Sequence, residues 1–204
     1  MSIRSLTLSA AAAALLSAQS AYAGSTQNTI TFDDIPSDAN NSITQYAGFN
    51  WDNFFVVDPV ASGSSGTGLA NGVVSGSNIA YNGYGAPASF SAVNGIFNLV
   101  SLYTTSGYFD GNVVTITGSL NGIVDYSTTF TTNTAGPAFQ TLNWNGIDQV
   151  SFSTSSYQIA LDNVTVSTSG PKPVPGPIAG AGLPALLGLL GLGLLYRRQR
   201  TVVV

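Results

Sequence analysis

The chain has 204 residues, and only 14 of them are charged: nine Asp and five Lys or Arg, with no Glu, His or Cys. No Lys or Arg occurs between Ser5 and Pro171, so the nine Asp of that stretch are not balanced by any cation. A domain without cations cannot neutralise phosphates, which excludes nucleic-acid binding. The absence of His and Cys excludes Ser-His-Asp and Cys-His catalysis and the usual zinc sites.

The N-terminus has the pattern of a secretory signal peptide. Arg4 gives it a positive start, an apolar run covers residues 6–16, and Ala21 and Ala23 form a small-residue cleavage site. The apolar run is too short to span a bilayer comfortably. A buried N-terminal helix is the alternative. The pattern predicts that the chain is exported.

The C-terminus has a Pro-rich segment, an apolar run and a basic end, in that order. Residues 170–177 have a proline at every second position and cannot form a helix. Residues 178–196 would reach roughly 28 Å as a helix, close to the hydrocarbon thickness of a bilayer. Arg197, Arg198 and Arg200 follow and would keep this end cytoplasmic. These features fit a permanent anchor and a removable sorting tail equally well.

This tail resembles the PEP-CTERM sorting tail of Gram-negative bacteria. Its motif is Val174-Pro175-Gly176-Pro177, with Gly176 where the family usually has Glu, as in a variant of the tail. The resemblance implies an exosortase-type processing enzyme as partner. It also implies export across the inner membrane, anchoring by the C-terminal helix, and sorting to the cell surface or the extracellular space of a host that makes exopolysaccharide. Such tails are also labelled the C-terminal domain of ice-binding proteins, a label that implies no ice activity in the domain carrying the tail.

The chain is therefore predicted to have five parts. They are a signal peptide (1–23), an exported domain (24–169), a Pro-rich linker with the sorting motif (170–177), a transmembrane helix (178–196) and a cytoplasmic basic tail (197–204). The exported domain also resembles other exported proteins with this tail in four stretches, which are 30–34, 46–54, 80–85 and 161–166.

The exported domain has the turns and the alternation of an all-β fold. Asn-Gly or Asp-Gly pairs, which favour tight turns, occur at 71–72, 82–83, 94–95, 110–111, 121–122 and 145–146. Residues 112–117 alternate, with Val114 and Ile116 on one face and Val113, Thr115 and Thr117 on the other.

We predict nine or ten strands, including 28–33, 48–57, 95–103, 111–118, 122–131, 138–143, 148–154 and 157–167. An antiparallel β-sandwich of jelly-roll or galactose-binding-like topology suits this pattern, and its first and last strands should meet. A β-helix is the alternative, although the sequence shows no fixed short repeat.

Three aspartates form a candidate calcium site where the chain ends should meet. Asp33 and Asp34 end the first predicted strand, and Asp162 lies in the last. With no cation nearby, clustered carboxylates repel each other unless a hard divalent ion neutralises them. The alternative is that Asp34 forms an Asx turn and Asp162 binds backbone groups.

Aromatic residues form a candidate sugar-binding surface. Its predicted members are Tyr46, Trp51, Asn53, Tyr81 and Tyr84, because rings cover the apolar face of a sugar and amides bind its hydroxyls. Plain core packing is the alternative. The other aromatic residues of this group are Phe49, Phe54, Phe55 and Tyr108. Strict alternation along 48–57 would place Trp51 and Asn53 on one face and Asp52 and Phe54 on the other.

These features predict a non-catalytic protein of the cell surface or exopolysaccharide matrix that binds polysaccharide with the help of calcium. One alternative is a polysaccharide-processing enzyme that uses two Asp carboxylates. Nine Asp allow such a pair, but Glu is absent and no Asp stands in an acid/base motif. The other alternative is a structural matrix protein without a ligand. The Thr-rich stretch 128–132 suits an ice-binding face, but strand propensity explains it better.

Overall fold

The computed structural model describes residues 26–36 and 41–168, which form an antiparallel β-sandwich, as predicted. The eleven strands within these residues are β1 (Thr26–Ile30), β2 (Asn41–Tyr46), β3 (Phe49–Val57), β4 (Ile79–Asn82), β5 (Ala88–Ala92), β6 (Phe97–Ser106), β7 (Asn112–Leu120), β8 (Ile123–Thr132), β9 (Ala138–Ile147), β10 (Gln149–Thr154) and β11 (Ile159–Thr168). The same ranges contain one short helix, α1 (Gly68–Asn71), and a single 3-10 turn at Gly83–Gly85.

Several predictions fall on residues outside the described ranges. They concern the cleavage residues Ala21 and Ala23, the motif Val174-Pro175-Gly176-Pro177, the helix at 178–196, and Arg197, Arg198 and Arg200. Within 26–36 and 41–168, none of the helical segments is long and apolar enough to cross a membrane.

The strands follow one hydrogen-bonded path, and all their pairings are antiparallel. Its order is β8-β7-β10-β5-β3-β4-β11-β6-β9, with β1 added to β11 and β2 added to β3. Along the β1–β11 pair, Thr26 lies opposite Thr168 and Ile30 opposite Val164. The predicted meeting of the first and last strands is therefore confirmed.

Strand β3 forms the corner between the two layers of the sandwich. Residues 49–52 pair with β5, and residues 54–57 pair with β4. Asn53 lies between these segments with a left-handed φ of 55°. It acts as a β-bulge, which bends a strand and shifts its alternation. As a result Trp51 and Phe54 both point into the core, with ring centroids 5.4 Å apart. The prediction that they lie on opposite faces was wrong.

The Asn53 side chain fills the gap that this corner leaves between β4 and β5. Its Nδ2 lies 3.3 Å from the carbonyl oxygen of Gly83, 3.3 Å from that of Ala86 and 3.0 Å from that of Pro87. Asn tolerates the left-handed conformation better than most residues. One side chain thus satisfies the connection from β4 to β5 at the point where β3 changes partner.

The core lies between the layers and is rich in phenylalanine. Ring centroids of Phe49 and Phe97 are 4.8 Å apart, and those of Phe54 and Phe152 are 5.6 Å apart. Each pair joins β3 to a strand of the opposite layer, so the contacts close the sandwich. At the far end Trp144 packs on Gly118, where an added Cβ would lie 2.8 Å from the indole ring.

The turn predictions were partly correct. Asn121 and Gly122 have φ of 52° and 78° and form the two-residue hairpin between β7 and β8, as their sequence predicts. The predicted turn at Asn71-Gly72 was wrong. Asn71 ends α1, and Gly72 is its right-handed cap with φ of −83°. The local sequence does not distinguish a helix end from a hairpin.

We expect Asn53→Gly to lower the free energy of unfolding by about 1–2 kcal/mol, because the carbonyl oxygens of Gly83 and Pro87 lose this side-chain donor while the left-handed backbone is kept. Asn53→Ala should cost about 1 kcal/mol more, because alanine is strained in that conformation. Urea unfolding of the full-length chain measures both. Asn121→Gly is the matched control, since its hydrogen bond to Asp148 comes from the backbone N–H and survives the change. Equal stability of Asn53→Gly and wild type would contradict this role.

Candidate functional site

Asp162 is fully buried on β11 and binds backbone N–H groups. Its Oδ2 accepts from Val74 N at 2.7 Å and Ser75 N at 3.0 Å, and its Oδ1 accepts from Asn163 N at 2.6 Å. Burial raises the pKa of Asp162, these N–H groups oppose the rise, and the charge of Asp33 adds to it. The carboxylate thus holds the loop that leads into β4.

Asp33 holds the same loop from the other side. Strand β1 ends at Ile30, earlier than predicted, because Phe32 turns left-handed with φ of 64° and buries its ring completely. The chain then places Asp33 Oδ1 2.9 Å from Ser77 N and 3.1 Å from Asn78 N. Two carboxylates, one near each end of the domain, therefore hold one short loop through four backbone N–H groups.

Asp34 takes a different partner, the phenol of Tyr46, which donates to its Oδ1. Burial and then the Asp34 carboxylate raise the pKa of Tyr46 well above its ordinary value. Among the described residues, no group of three acidic side chains is placed to hold a metal ion. A calcium ion at Asp33, Asp34 and Asp162 stays a prediction, with backbone donors already on two of these carboxylates.

Tyr46 lies at the edge of the core, and Trp51 lies inside it. The Trp51 ring is 4% exposed, and its Nε1 donates to Tyr46 O at 3.0 Å. Tyr46 is half-buried and packs on Phe32, with centroids 5.8 Å apart. It also borders a shallow hollow, whose described lining is Gln45, Tyr46, Ala47, Gly48, Val93 and Asn94. Trp51 thus follows the core-packing alternative, and its ring offers no face to a ligand.

The other two predicted rings, Tyr81 and Tyr84, line a cleft of about 360 Å³. They meet there with Phe55, Tyr108 and Tyr157, and we call this site the tyrosine cleft. The remaining described lining residues are Val57, Ser62, Ser64, Leu69, Gly83 and Gln158. The structure thus divides the predicted aromatic group into a buried core part and this open part.

Tyr84 stands out from a strained turn at the cleft. Its side chain is 84% exposed and its φ is 56°, a conformation that is unfavourable for a bulky residue. The glycines beside it allow the tight packing that holds it. An added Cβ on Gly83 would lie 2.5 Å from Asn53 Oδ1, and one on Gly85 would lie 2.7 Å from Tyr157 Cα. The ring is therefore presented to solvent by a backbone packed on both sides.

Hydrogen bonds fix the same turn to its surroundings. The Thr154 hydroxyl can donate to the carbonyl oxygens of Gly85 and Tyr157, at 3.1 and 2.8 Å. Asn82 is fully buried, and its Nδ2 donates to Ala86 O at 2.8 Å. These bonds connect the Tyr84 turn to the loop that carries Tyr157.

The remaining rings form the walls of the cleft. Phe55 and Tyr81 stack at 5.6 Å with an interplanar angle of 25°, and Tyr108 and Tyr157 meet at 5.6 Å with 60°. Burial, and then the neighbouring tyrosines, raise the pKa of Tyr81 above its ordinary value. A phenol is protonated at neutral pH even with its ordinary pKa of about 10, so the Tyr81 hydroxyl can donate a hydrogen bond.

Two site residues behave differently from their prediction. Tyr157 was placed at the start of the last strand, but β11 begins at Ile159, and this leaves Tyr157 in the loop that borders the cleft. Asn53 was expected to bind sugar, but its amide N–H groups face the carbonyls of the β4–β5 connection. Its contribution to the cleft is to support the Tyr84 turn.

No protein-family model and no curated protein matches the chain. Several solved structures are similar to it. One is the K2 cleaved adhesin domain of Lys-gingipain, with 12% identity, TM-score 0.45, and coverage of 71% of this chain and 98% of that one. A mutant of the family 29 carbohydrate-binding module CBM29-2 has 14% identity, TM-score 0.41, and coverage of 76% and 99%. CBM4 has 20% identity, TM-score 0.36, and coverage of 67% and 96%.

We expect Asp162→Asn to lower the free energy of unfolding by about 2–3 kcal/mol, because its amide group would face N–H donors in a buried site. The raised pKa of Asp162 means that this group favours folding most below the ordinary Asp pKa of about 3.9, and that the contribution is lost as pH rises. The difference in free energy of unfolding between wild type and Asp162→Asn should therefore become smaller as pH rises from about 4.

Urea unfolding between acid and neutral pH measures this difference. Asp125→Asn makes the same change of charge on an exposed position of β8 and should shift stability by less than about 0.5 kcal/mol. A loss in Asp162→Asn no larger than that of the control would contradict the role of Asp162 in holding the loop.

Proposed function

We propose that this chain is an exported, non-catalytic protein of the cell surface or exopolysaccharide matrix that binds polysaccharide in the tyrosine cleft. The main support for this proposal is the Tyr84 ring. It is exposed, and it stands on a strained turn whose backbone is packed on both sides. A strained backbone that its surroundings maintain is a common feature of binding sites.

The chemistry of the cleft supports sugar as the ligand. A sugar ring has one or more faces of C–H groups and a rim of hydroxyls, so it needs aromatic faces beside polar groups. Tyr84 and Tyr108 supply exposed rings, while Ser62, Ser64 and Gln158 supply hydroxyl and amide groups. Because the backbone that carries Tyr84 is packed on both sides and the Tyr108 ring packs on Tyr157, both rings start from fixed positions on the chain, which limits the entropy lost on contact.

The lining also supports binding rather than catalysis. A glycosidase needs two carboxyl groups about 5–10 Å apart across the scissile bond. Among the described residues that line the cleft, none is acidic. The use of an Asp pair for polysaccharide processing therefore has no support at this site.

Export and sorting rest on the two chain ends and remain part of the proposal. The signal-like N-terminus and the Pro-rich, apolar and basic C-terminus support passage across the inner membrane, anchoring and processing by an exosortase-type enzyme. Calcium belongs to the proposal as a stabilising ion near Asp33 and Asp162, which lie at the ends of the domain and outside the described cleft lining.

We expect the purified full-length chain to co-sediment with the exopolysaccharide of its host. Tyr84→Ala should weaken binding at least about tenfold, which corresponds to about 1.4 kcal/mol for a lost stacking ring. Tyr84→Phe should bind like wild type, because the ring is kept. Phe139→Ala, which removes an exposed ring on β9 outside the cleft, is the matched control. Repeating the sedimentation in calcium and in a chelator shows whether calcium contributes to binding.

Binding that Tyr84→Ala leaves unchanged would place the polysaccharide elsewhere on the chain. Failure to bind in calcium and in chelator would favour a structural matrix protein without a ligand. Turnover of the polysaccharide that single Asp→Asn changes abolish would establish the enzymatic alternative.

A further inference from the structure

Among the residues that the structure describes, the lining of the tyrosine cleft has polar groups but no formal charge. Its described lining is aromatic, aliphatic, hydroxyl-bearing or amide, without Asp, Glu, Lys or Arg. The polar side chains of this lining are the hydroxyls of Ser62 and Ser64, the amide of Gln158 and the phenols of Tyr81, Tyr84, Tyr108 and Tyr157. Each can exchange hydrogen bonds with a neutral hydroxyl, and none can form an ion pair with a carboxylate or sulfate.

The charge of the surrounding domain also disfavours the binding of an acidic polysaccharide. The sequence has no Lys or Arg from Ser5 to Pro171, while eight of its aspartates lie in the described ranges. The domain therefore has a negative field that is not balanced locally and repels polyanions at moderate ionic strength. A uronic acid entering the cleft would lose hydration without gaining a cationic partner, which is costly.

A polycation would be attracted to this field but would gain no specific contact in the cleft. Ion pairing needs a carboxylate at the binding surface, and the described lining has none. Attraction to the whole domain is long-range, weakens in salt and does not depend on Tyr84. Stacking on a ring and hydrogen bonding to neutral groups depend little on salt.

We propose that the tyrosine cleft selects a neutral polysaccharide and discriminates against chains that contain uronic acid or sulfate. This inference rests on the proposed function and adds the class of ligand. The uncharged lining determines the class, and the exposed ring of Tyr84 supplies the contact.

Affinity electrophoresis of the full-length chain tests directly which class of polysaccharide binds. The panel contains neutral β-glucans, galactans, mannans and xylans, together with alginate and polygalacturonate as polyanions and chitosan as a polycation. We expect at least one neutral polymer to bind at least about tenfold more tightly than either polyanion. Binding should change less than about twofold between about 0.01 M and 1 M salt, while the Debye length falls from about 30 Å to about 3 Å. Tyr84→Ala should abolish the preference.

A designed change of specificity gives a second test. Gln158→Lys places a cation of similar length in the cleft lining and should increase alginate binding by at least about tenfold. Gln158→Met is the matched control, because it removes the amide without adding charge. Circular dichroism and thermal melting establish that both variants fold. Should Gln158→Lys not fold, the salt series on wild type still decides the question.

The outcomes separate this inference from the proposed function. Tyr84-dependent binding to a polyanion, equal to or tighter than to any neutral polymer, would overturn the inference and leave polysaccharide binding in place. Salt-sensitive binding to chitosan alone, unaffected by Tyr84→Ala, would overturn both. Failure to bind any neutral member of the panel would overturn the inference, while the proposed function would still be decided by co-sedimentation with the exopolysaccharide of the host.

Discussion

Asn53 takes a left-handed backbone conformation in the middle of β3, and the sheet changes its hydrogen-bonding partner at that residue. The bulge bends the sheet into two layers and turns Trp51 and Phe54 into one core. The Asn53 side chain also donates to the carbonyls that follow β4, and these bonds support the turn that carries Tyr84. Fold and candidate site therefore depend on one set of contacts, so a change at this corner should affect both.

The second constraint is the absence of Lys and Arg from the β-sandwich domain. Five of the described aspartates accept hydrogen bonds from oriented backbone N–H groups, whose partial positive charges offset part of the carboxylate charge. The aspartates that accept such bonds are Asp33, Asp58, Asp110, Asp148 and Asp162. Bonds from Thr134 lower the pKa of Asp110, while burial raises that of Asp162. These bonds pin loops to strands, so the aspartates have a structural role that sequence alone presents as possible catalysis or metal binding.

Local patterns predicted the structure wherever the backbone follows them. Val114 and Ile116 are both fully buried, as alternation requires, because β7 is regular there. Tyr84 was predicted only as one member of an aromatic group beside amide side chains, and the sequence did not separate it from the buried rings of that group. The failures have a different cause. The conformation of Asn53 is set by a gap between two other strands, and the loop position of Tyr157 is set by where β11 begins pairing. Such tertiary requirements leave no local signal in the sequence.

In the proposed function, a sugar lies on the exposed ring of Tyr84. Nuclear Overhauser contacts between the C–H protons of a bound neutral glycan and aromatic protons of the protein test it most directly. We expect contacts to Tyr84 and to Tyr108, which both line the cleft. Contacts confined to the hollow around Gln45 and Val93, with none at Tyr84, would contradict it.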